Sequence, residues 1–192
     1  HGQVFRFLHE EVEVPSYDVQ EDDQDAEIAR FEDALSLTKN QIEKIKDDVA
    51  QNLGEKEAAI FDAHLMVLED KAVIDDVVSE VRKSGDNVEQ CLHRVTQRYV
   101  EYFSQLEDEY LRERSADLKD ISRRLLGNLL GATAAGTAFL GEPRILVSED
   151  LSPSDTASLD RTKILGIATD TGGRTSHAVI MARSSGVPAV VG

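Results

Sequence analysis

The sequence predicts an α/β domain split by a long all-α insertion, and three observations lead there. No proline lies between Pro15 and Pro143, and apolar residues recur at helical spacing over most of that interval, as they do when helices each bury one stripe. The composition then changes abruptly at 127–141 (GNLLGATAAGTAFLG), which is small, glycine-rich and uncharged. Beyond it, short β-rich runs alternate with helix starts, the pattern of a parallel sheet.

Taken in order, Val4–Leu8 (VFRFL) reads as a strand that needs partners from elsewhere. Tyr17–Glu27, with Asp18, Glu21, Asp22, Asp23, Asp25 and Glu27, reads as a solvated linker or helix start. Ile28, Phe31, Leu35, Ile42, Ile45, Val49 and Leu53 draw one stripe on a long helix, which Gly54 interrupts. Glu55–Leu68 restarts the pattern with Ala59, Ile60, Ala63, Met66 and Val67. Lys71–Arg82 continues it, and Ser84-Gly85-Asp86 is a break. From Asn87 to Leu126 there is no glycine, and Val88, Cys91, Val95, Tyr99, Tyr102, Leu106, Tyr110, Ile121, Leu125 and Leu129 carry a stripe onward. Such stripes pack as antiparallel helices, which makes Met66, the tyrosines and His93 core or edge residues rather than ligands.

Arg144–Ser148 is then a strand, Ser152-Pro153-Ser154-Asp155 starts a short helix, and Lys163–Ala168 is a second strand. A glycine turn, a helix carrying His177 and a strand at Ala189–Val191 follow. Three strands make a thin sheet, so Val4–Leu8 is expected to join it. Residues 1–16 and 142–192 then form the α/β domain, and 17–141 the helical insertion.

Composition narrows the function classes. The 192 residues are 41% hydrophobic and 30% charged, ordinary for a soluble globular protein. No apolar run approaches the roughly 20 residues that span a bilayer, and the start lacks a signal-peptide order, so the expectation is a cytoplasmic protein without membrane insertion. Cys91 is the single cysteine, which excludes an intrachain disulfide and a cysteine zinc cluster. A net charge of −16, no tryptophan and no Lys/Arg cluster argue against nucleic acid and favour a basic protein partner. No HExxH or paired Glu-x-x-His pattern marks a metal, and without a Walker motif there is no case for ATP as direct donor.

The stretch richest in chemistry is Gly172–Ser184 (GGRTSHAVIMARS). Two glycines deliver Thr175, Ser176 and His177 to the first turn of a helix, where free N–H groups and the positive end of the dipole favour an anion and a neutral, nucleophilic imidazole. Arg174 can fork onto phosphoryl oxygens, and the hydroxyls of Thr175 and Ser176 can add donors. The same pattern also suits an ordinary capping or surface histidine, and local chemistry leaves both readings open.

GGRTSHAVIMARSSGVPAVVG at 172–192 resembles the phosphohistidine motif of Enzyme I of the bacterial phosphoenolpyruvate:sugar phosphotransferase system. LSPSDTA at 151–157, EKEAAIFDAHLMVLED at 55–70 and DEYLRERSADLKDISRRLLGNLLG at 108–131 resemble other segments of that family, in the same order. The resemblance implies a swivelling phosphohistidine domain with an inserted bundle that binds the phosphocarrier HPr. It implies that His177 takes a phosphoryl group from phosphoenolpyruvate through Nε2, with Thr156 orienting the imidazole and Arg174, Thr175 and Ser176 steadying the oxygens. Glu55, Leu65, Met66, Leu68, Glu69, Tyr110 and Arg114 fall in segments resembling the HPr-docking face, which sets an interface reading of Met66 and Tyr110 against the core one. The family's N-terminal Ser-Pro-Gly segment is absent, as is the barrel that binds phosphoenolpyruvate and Mg2+ and mediates homodimerisation, so the expectation is a fragment that can be monomeric and exchanges phosphate with HPr alone. A nitrogen-regulatory paralogue and a non-catalytic docking module are the alternatives.

Overall fold

The computed structural model describes residues 2–7, 13–107, 109–131, 142–157, 159–171, 177–184 and 186–192, without the side chains of 109–113, 161, 177, 178 and 181. The chain groups into two compact units, one of residues 1–11, 44–61 and 135–192 and one of 12–43 and 62–134. The first is α/β and the second helical. The helical insertion read from the sequence spans 17–141, but residues 44–61 group with the sheet, where the Ser184 hydroxyl donates to Glu57 Oε1 at 3.2 Å.

Helix α1 (Gln24–Leu53) follows a single 3-10 turn at Glu21–Asp23, and Asp25 and Glu27 in its first turn suit the positive end of its dipole. Its stripe is as the spacing predicts, with Ile28, Phe31, Ile42 and Val49 buried and Ala34 and Thr38 joining them. Gly54, at φ 112°, ends α1 in a conformation that side chains avoid. The expected Glu55–Leu68 helix divides at Ala59 into α2 (Glu55–Ala58) and α3 (Ile60–Leu68). Helix α4 (Lys71–Ser84) has both ends capped: Asp70 accepts from the Ala72 N–H, and Gly85 closes it at φ 70°.

The glycine-free run from Asn87 to Leu126 is also two helices, α5 (Val88–Ser104) and α6 (Glu109–Leu129). Neither glycine nor proline signals the break. The Gln105 and Leu106 N–H groups bond to the carbonyls of Tyr102 and Phe103, tightening the last turn of α5. The stripe holds through Val88, Cys91 and Val95 and then fails at Tyr102, which is 62% exposed.

The acidic run before α1 is not simply solvated. Asn87 clamps it: the Tyr17 N–H donates to Asn87 Oδ1, the Asn87 amide to the Pro15 carbonyl, and the Asn87 N–H to the Tyr17 carbonyl. Glu27 is buried, and its Oε2 accepts from the Val88 N–H, so a side chain of α1 caps α5. Arg30 bridges Glu27 and Glu89, the latter only 1% exposed. Partial burial alone would lower the Arg30 pKa, but hydrogen bonds to Glu27, Glu89 and Tyr17 outweigh it and raise it.

In the α/β unit, strands β1 (Gln3–Arg6), β2 (Arg144–Ser148), β3 (Ile164–Thr169) and β4 (Ala189–Val191) form one parallel sheet in the order β1-β2-β3-β4. Helix α7 (Pro153–Ala157) connects β2 to β3, and α8 (His177–Ser184) connects β3 to β4. Leu146, Leu151, Leu159, Ile164, Ile167 and Ala182 make the core, with Phe5, Phe7, Val187 and Ala189 packed against it. A register shift at Arg144/Ile145 leaves Leu165 out of the ladder and exposed, while Ile164 and Gly166 on either side stay buried. Among the described residues no helix is long and apolar enough to cross a membrane.

Candidate functional site

The central strands β2 and β3 end side by side, and each ends on a buried hydroxyl, Ser148 and Thr169. These hydroxyls stitch the following loops: Ser148 Oγ donates to the Asp150 carbonyl (2.6 Å), Thr169 Oγ1 to the Thr171 carbonyl (2.7 Å) and Thr171 Oγ1 to the Glu149 carbonyl (2.9 Å). The backbone ladder also continues past both strands, from the Asp170 N–H to the Ser148 carbonyl and from the Thr171 N–H to the Glu149 carbonyl. Both loops therefore leave from one fixed edge, the carboxyl end of the sheet where α/β proteins bind ligands.

Helix α7 starts from the first loop through a reciprocal cap. The Asp155 N–H donates to Ser152 Oγ and the Ser152 N–H to Asp155 Oδ2, with Pro153 at the first helical position. Thr156, buried one residue on, points its hydroxyl at the carbonyls of Ser152 and Pro153, both 3.0 Å away. Its single proton is thus spent on backbone, and only its lone pairs remain for another group.

Helix α8 starts at His177 from the second loop and packs against α7. The starts of both helices are where the sequence puts them. The His177 side chain and all of Arg174, Thr175 and Ser176 lie outside the described residues. Exposed carboxylates of Glu149, Asp150 and Asp170 stand at the same strand ends.

The second group of candidates lies mostly on α3. Met66 is 60% exposed, which overturns its core reading, and Leu65 is half-buried. Leu68 points the other way: at 4% exposure it lines a small apolar cavity with Phe31, Leu35 and Ile121 and offers no surface to a partner. Met66 and Leu68 are only two positions apart, yet that is enough on a helix to put Met66 outside and Leu68 inside. Glu69 is exposed and ion-paired to Lys39. Arg114 is half-buried, the Tyr110 side chain lies outside the described residues, and Glu55 is exposed in the other unit. His64, passed over in the sequence, is fully buried on the opposite side of α3, with Nε2 3.1 Å from Asp120 Oδ2 and Nδ1 3.9 Å from Asp117 Oδ1. The sequence does carry a signal for Ser148 and Thr169, a hydroxyl closing each apolar run just before a loop. It carries none for the ion pairs that join residues far apart in the chain, such as Arg30–Glu89 and Lys39–Glu69.

Residues 1–114 match the family described as PEP-utilising enzyme, N-terminal, and residues 140–192 its mobile domain. The chain belongs to the Enzyme I family. Among curated relatives, a phosphoenolpyruvate-protein phosphotransferase of Enterococcus faecalis is 45% identical over 172 residues, 89% of this chain and 30% of that protein. One from Priestia megaterium is 40% identical across 100% of this chain and 33% of its own length. The chain therefore spans about a third of these Enzyme I relatives. Among solved structures, an Enzyme I protein determined by NMR aligns with a TM-score of 0.79 and 38% identity over 99% of this chain and 77% of its own. The N-terminal domain of a nitrogen Enzyme I aligns at 0.68 and 28% identity, over 97% and 76%. The architecture is that of the N-terminal part of Enzyme I, a helical region with a parallel α/β mobile domain.

Proposed function

We propose that this chain carries a phosphoryl group on His177, received in the full-length protein from phosphoenolpyruvate and passed to a histidine of HPr. The observation that carries the reading is the hydroxyl of Thr156. With its proton committed to Ser152 and Pro153, it can only accept from an imidazole N–H on the neighbouring α8. Accepting from Nδ1–H holds the tautomer in which Nε2 is unprotonated and nucleophilic. The Nε2 lone pair attacks phosphorus, the Nε2–P bond forms and the P–O bond to enolpyruvate breaks, releasing enolate that takes a proton to give pyruvate. Transfer onward reverses the roles, with a nitrogen of HPr as nucleophile. Arg174, Thr175 and Ser176 hold the phosphoryl oxygens, and the N-terminus of α8 adds a favourable field.

Among the described residues no group of three or more His, Cys, Asp or Glu converges as a metal site. Mg2+ and phosphoenolpyruvate belong, on this reading, to the two thirds of the relatives that the chain does not span, as does the homodimer contact. The division into a phosphohistidine domain of 1–16 and 142–192 and an HPr-binding insertion of 17–141 is part of the same proposal. Glu55, Leu65, Met66, Glu69, Tyr110 and Arg114 supply the docking face, and Leu68 supports it from inside. The greater similarity to the Enzyme I structure than to its nitrogen counterpart, 38% against 28% identity, favours the sugar branch.

Incubation with phospho-HPr is the test. The expected product is acid-labile, base-stable phosphate on the chain, lost in His177→Ala, and no labelling from phosphoenolpyruvate and Mg2+ alone. HPr binding without any transfer would make the chain a docking module instead. Labelling of His177→Ala at another histidine would move the site.

A further inference from the structure

Glu69 follows the last turn of α3, its backbone N–H bonded to the Leu65 carbonyl at 3.0 Å. Its carboxylate is already engaged. Lys39, on α1, donates from Nζ to Glu69 Oε1 at 2.5 Å, and both side chains are exposed, 43% for the lysine and 57% for the acid. Around it the segment is acidic, with Glu55, Glu57, Asp62 and Asp70 against one cation, Lys56. The hydrogen bond to Glu69, with its Coulombic attraction and that of Glu43, raises the Lys39 pKa, so the ammonium stays charged at any neutral pH.

We infer that Lys39 is a specificity-determining residue for carrier docking: it occupies the Glu69 carboxylate in the free protein and yields it to a basic side chain of the carrier. This rests on the reading of α3 as the docking helix. Binding then exchanges one ion pair for another. A carrier with a cation at that position recovers what displacement of Lys39 gives up, whereas a neutral side chain there gains nothing from an acid that already has its partner. Exposure keeps the exchange easy, since an exposed pair changes an equilibrium by a factor of only about two to five.

Calorimetric titration of HPr at low salt into the wild-type chain, Lys39→Met, Glu69→Gln and the double variant tests this, with Lys39→Gln as a second removal of the charge and circular dichroism to verify helix content. Lys39→Met is expected to tighten binding about two- to fivefold, Glu69→Gln to weaken it, and Lys39→Met to give no further gain once Glu69 is Gln. Lys39 variants that bind no better, or bind worse, overturn the inference. A gain of equal size in both backgrounds also overturns it, because the lysine would then act only through long-range charge. If Glu69→Gln weakens binding while the Lys39 variants change nothing, the docking helix stands and this inference alone falls. If Glu69→Gln leaves affinity unchanged, the docking reading falls with it.

Discussion

The two units bury polar groups in different ways. The helical unit buries charge: Glu27 and Glu89 around Arg30, and His64 between Asp117 and Asp120. In the α/β unit the core cluster is apolar, and the polar groups buried among the described residues, Ser148, Ser154, Thr156 and Thr169, are neutral hydroxyls. Buried carboxylates can hold elements together, but beside a phosphoryl group they would repel it, and neutral donors and acceptors would not. Among the described residues, the unit proposed to carry phosphate has no buried carboxylate.

That contrast can be broken at several points. The largest expected effect is His177→Ala, which should remove all phosphohistidine while leaving the far-ultraviolet spectrum unchanged. In the helical unit, Glu89→Ala takes one acceptor from Arg30, which keeps Glu27 and Tyr17, and one from the Asn87 amide, which keeps the Pro15 carbonyl, and should lower unfolding stability by about 1–2 kcal/mol, read from urea denaturation. Thr156→Val removes a hydroxyl with one neutral role, so transfer should slow about tenfold with little change in stability, and Thr156→Ser should restore it. Equal destabilisation by Thr156→Val and Glu89→Ala would erase the distinction between the units. Gly85→Ala places a side chain at φ 70° and should destabilise α4 by about 1 kcal/mol.

The smallest effect concerns pH. The hydrogen bond from Arg94 holds the Asp86 carboxyl below the usual carboxylate range, against some desolvation. A depressed acid stabilises the fold fully above the unfolded-state carboxylate pKa and loses that contribution as pH falls through the lower, folded value. Asp86→Asn should therefore lower stability slightly near neutrality and show a shallower pH dependence at the acid end, read from unfolding at a series of pH values.

Much of this was legible in advance, and the exceptions share a cause. The α1 stripe, the glycine breaks at 54 and 85, the helix start at Ser152 and the parallel strands were readable because each is set within a few residues. The α5–α6 break was not, since Gln105 and Leu106 are as compatible with a helix as their neighbours. Nor was the clamp on Tyr17, because Asn87 looks like a helix cap and instead bonds 70 residues back. At the candidate site the strand ends and helix starts were readable, while the engagement of Thr156 with Ser152 and Pro153 needed coordinates. Met66 and Leu68 show the same limit within one helix, where spacing alone did not say which face meets solvent.

Strand β1 pairs residue for residue with β2, Gln3 with Arg144 and Arg6 with Val147, across the entire helical insertion. On a growing chain β1 therefore emerges long before its partner, and the helical unit, built from local contacts, has time to fold while β1 waits. The sheet closes after the helical unit. A slow step in refolding should report on β1 docking, and mutations in the helical unit that delay its own folding would leave that first strand unpaired for longer, as an edge open to other chains.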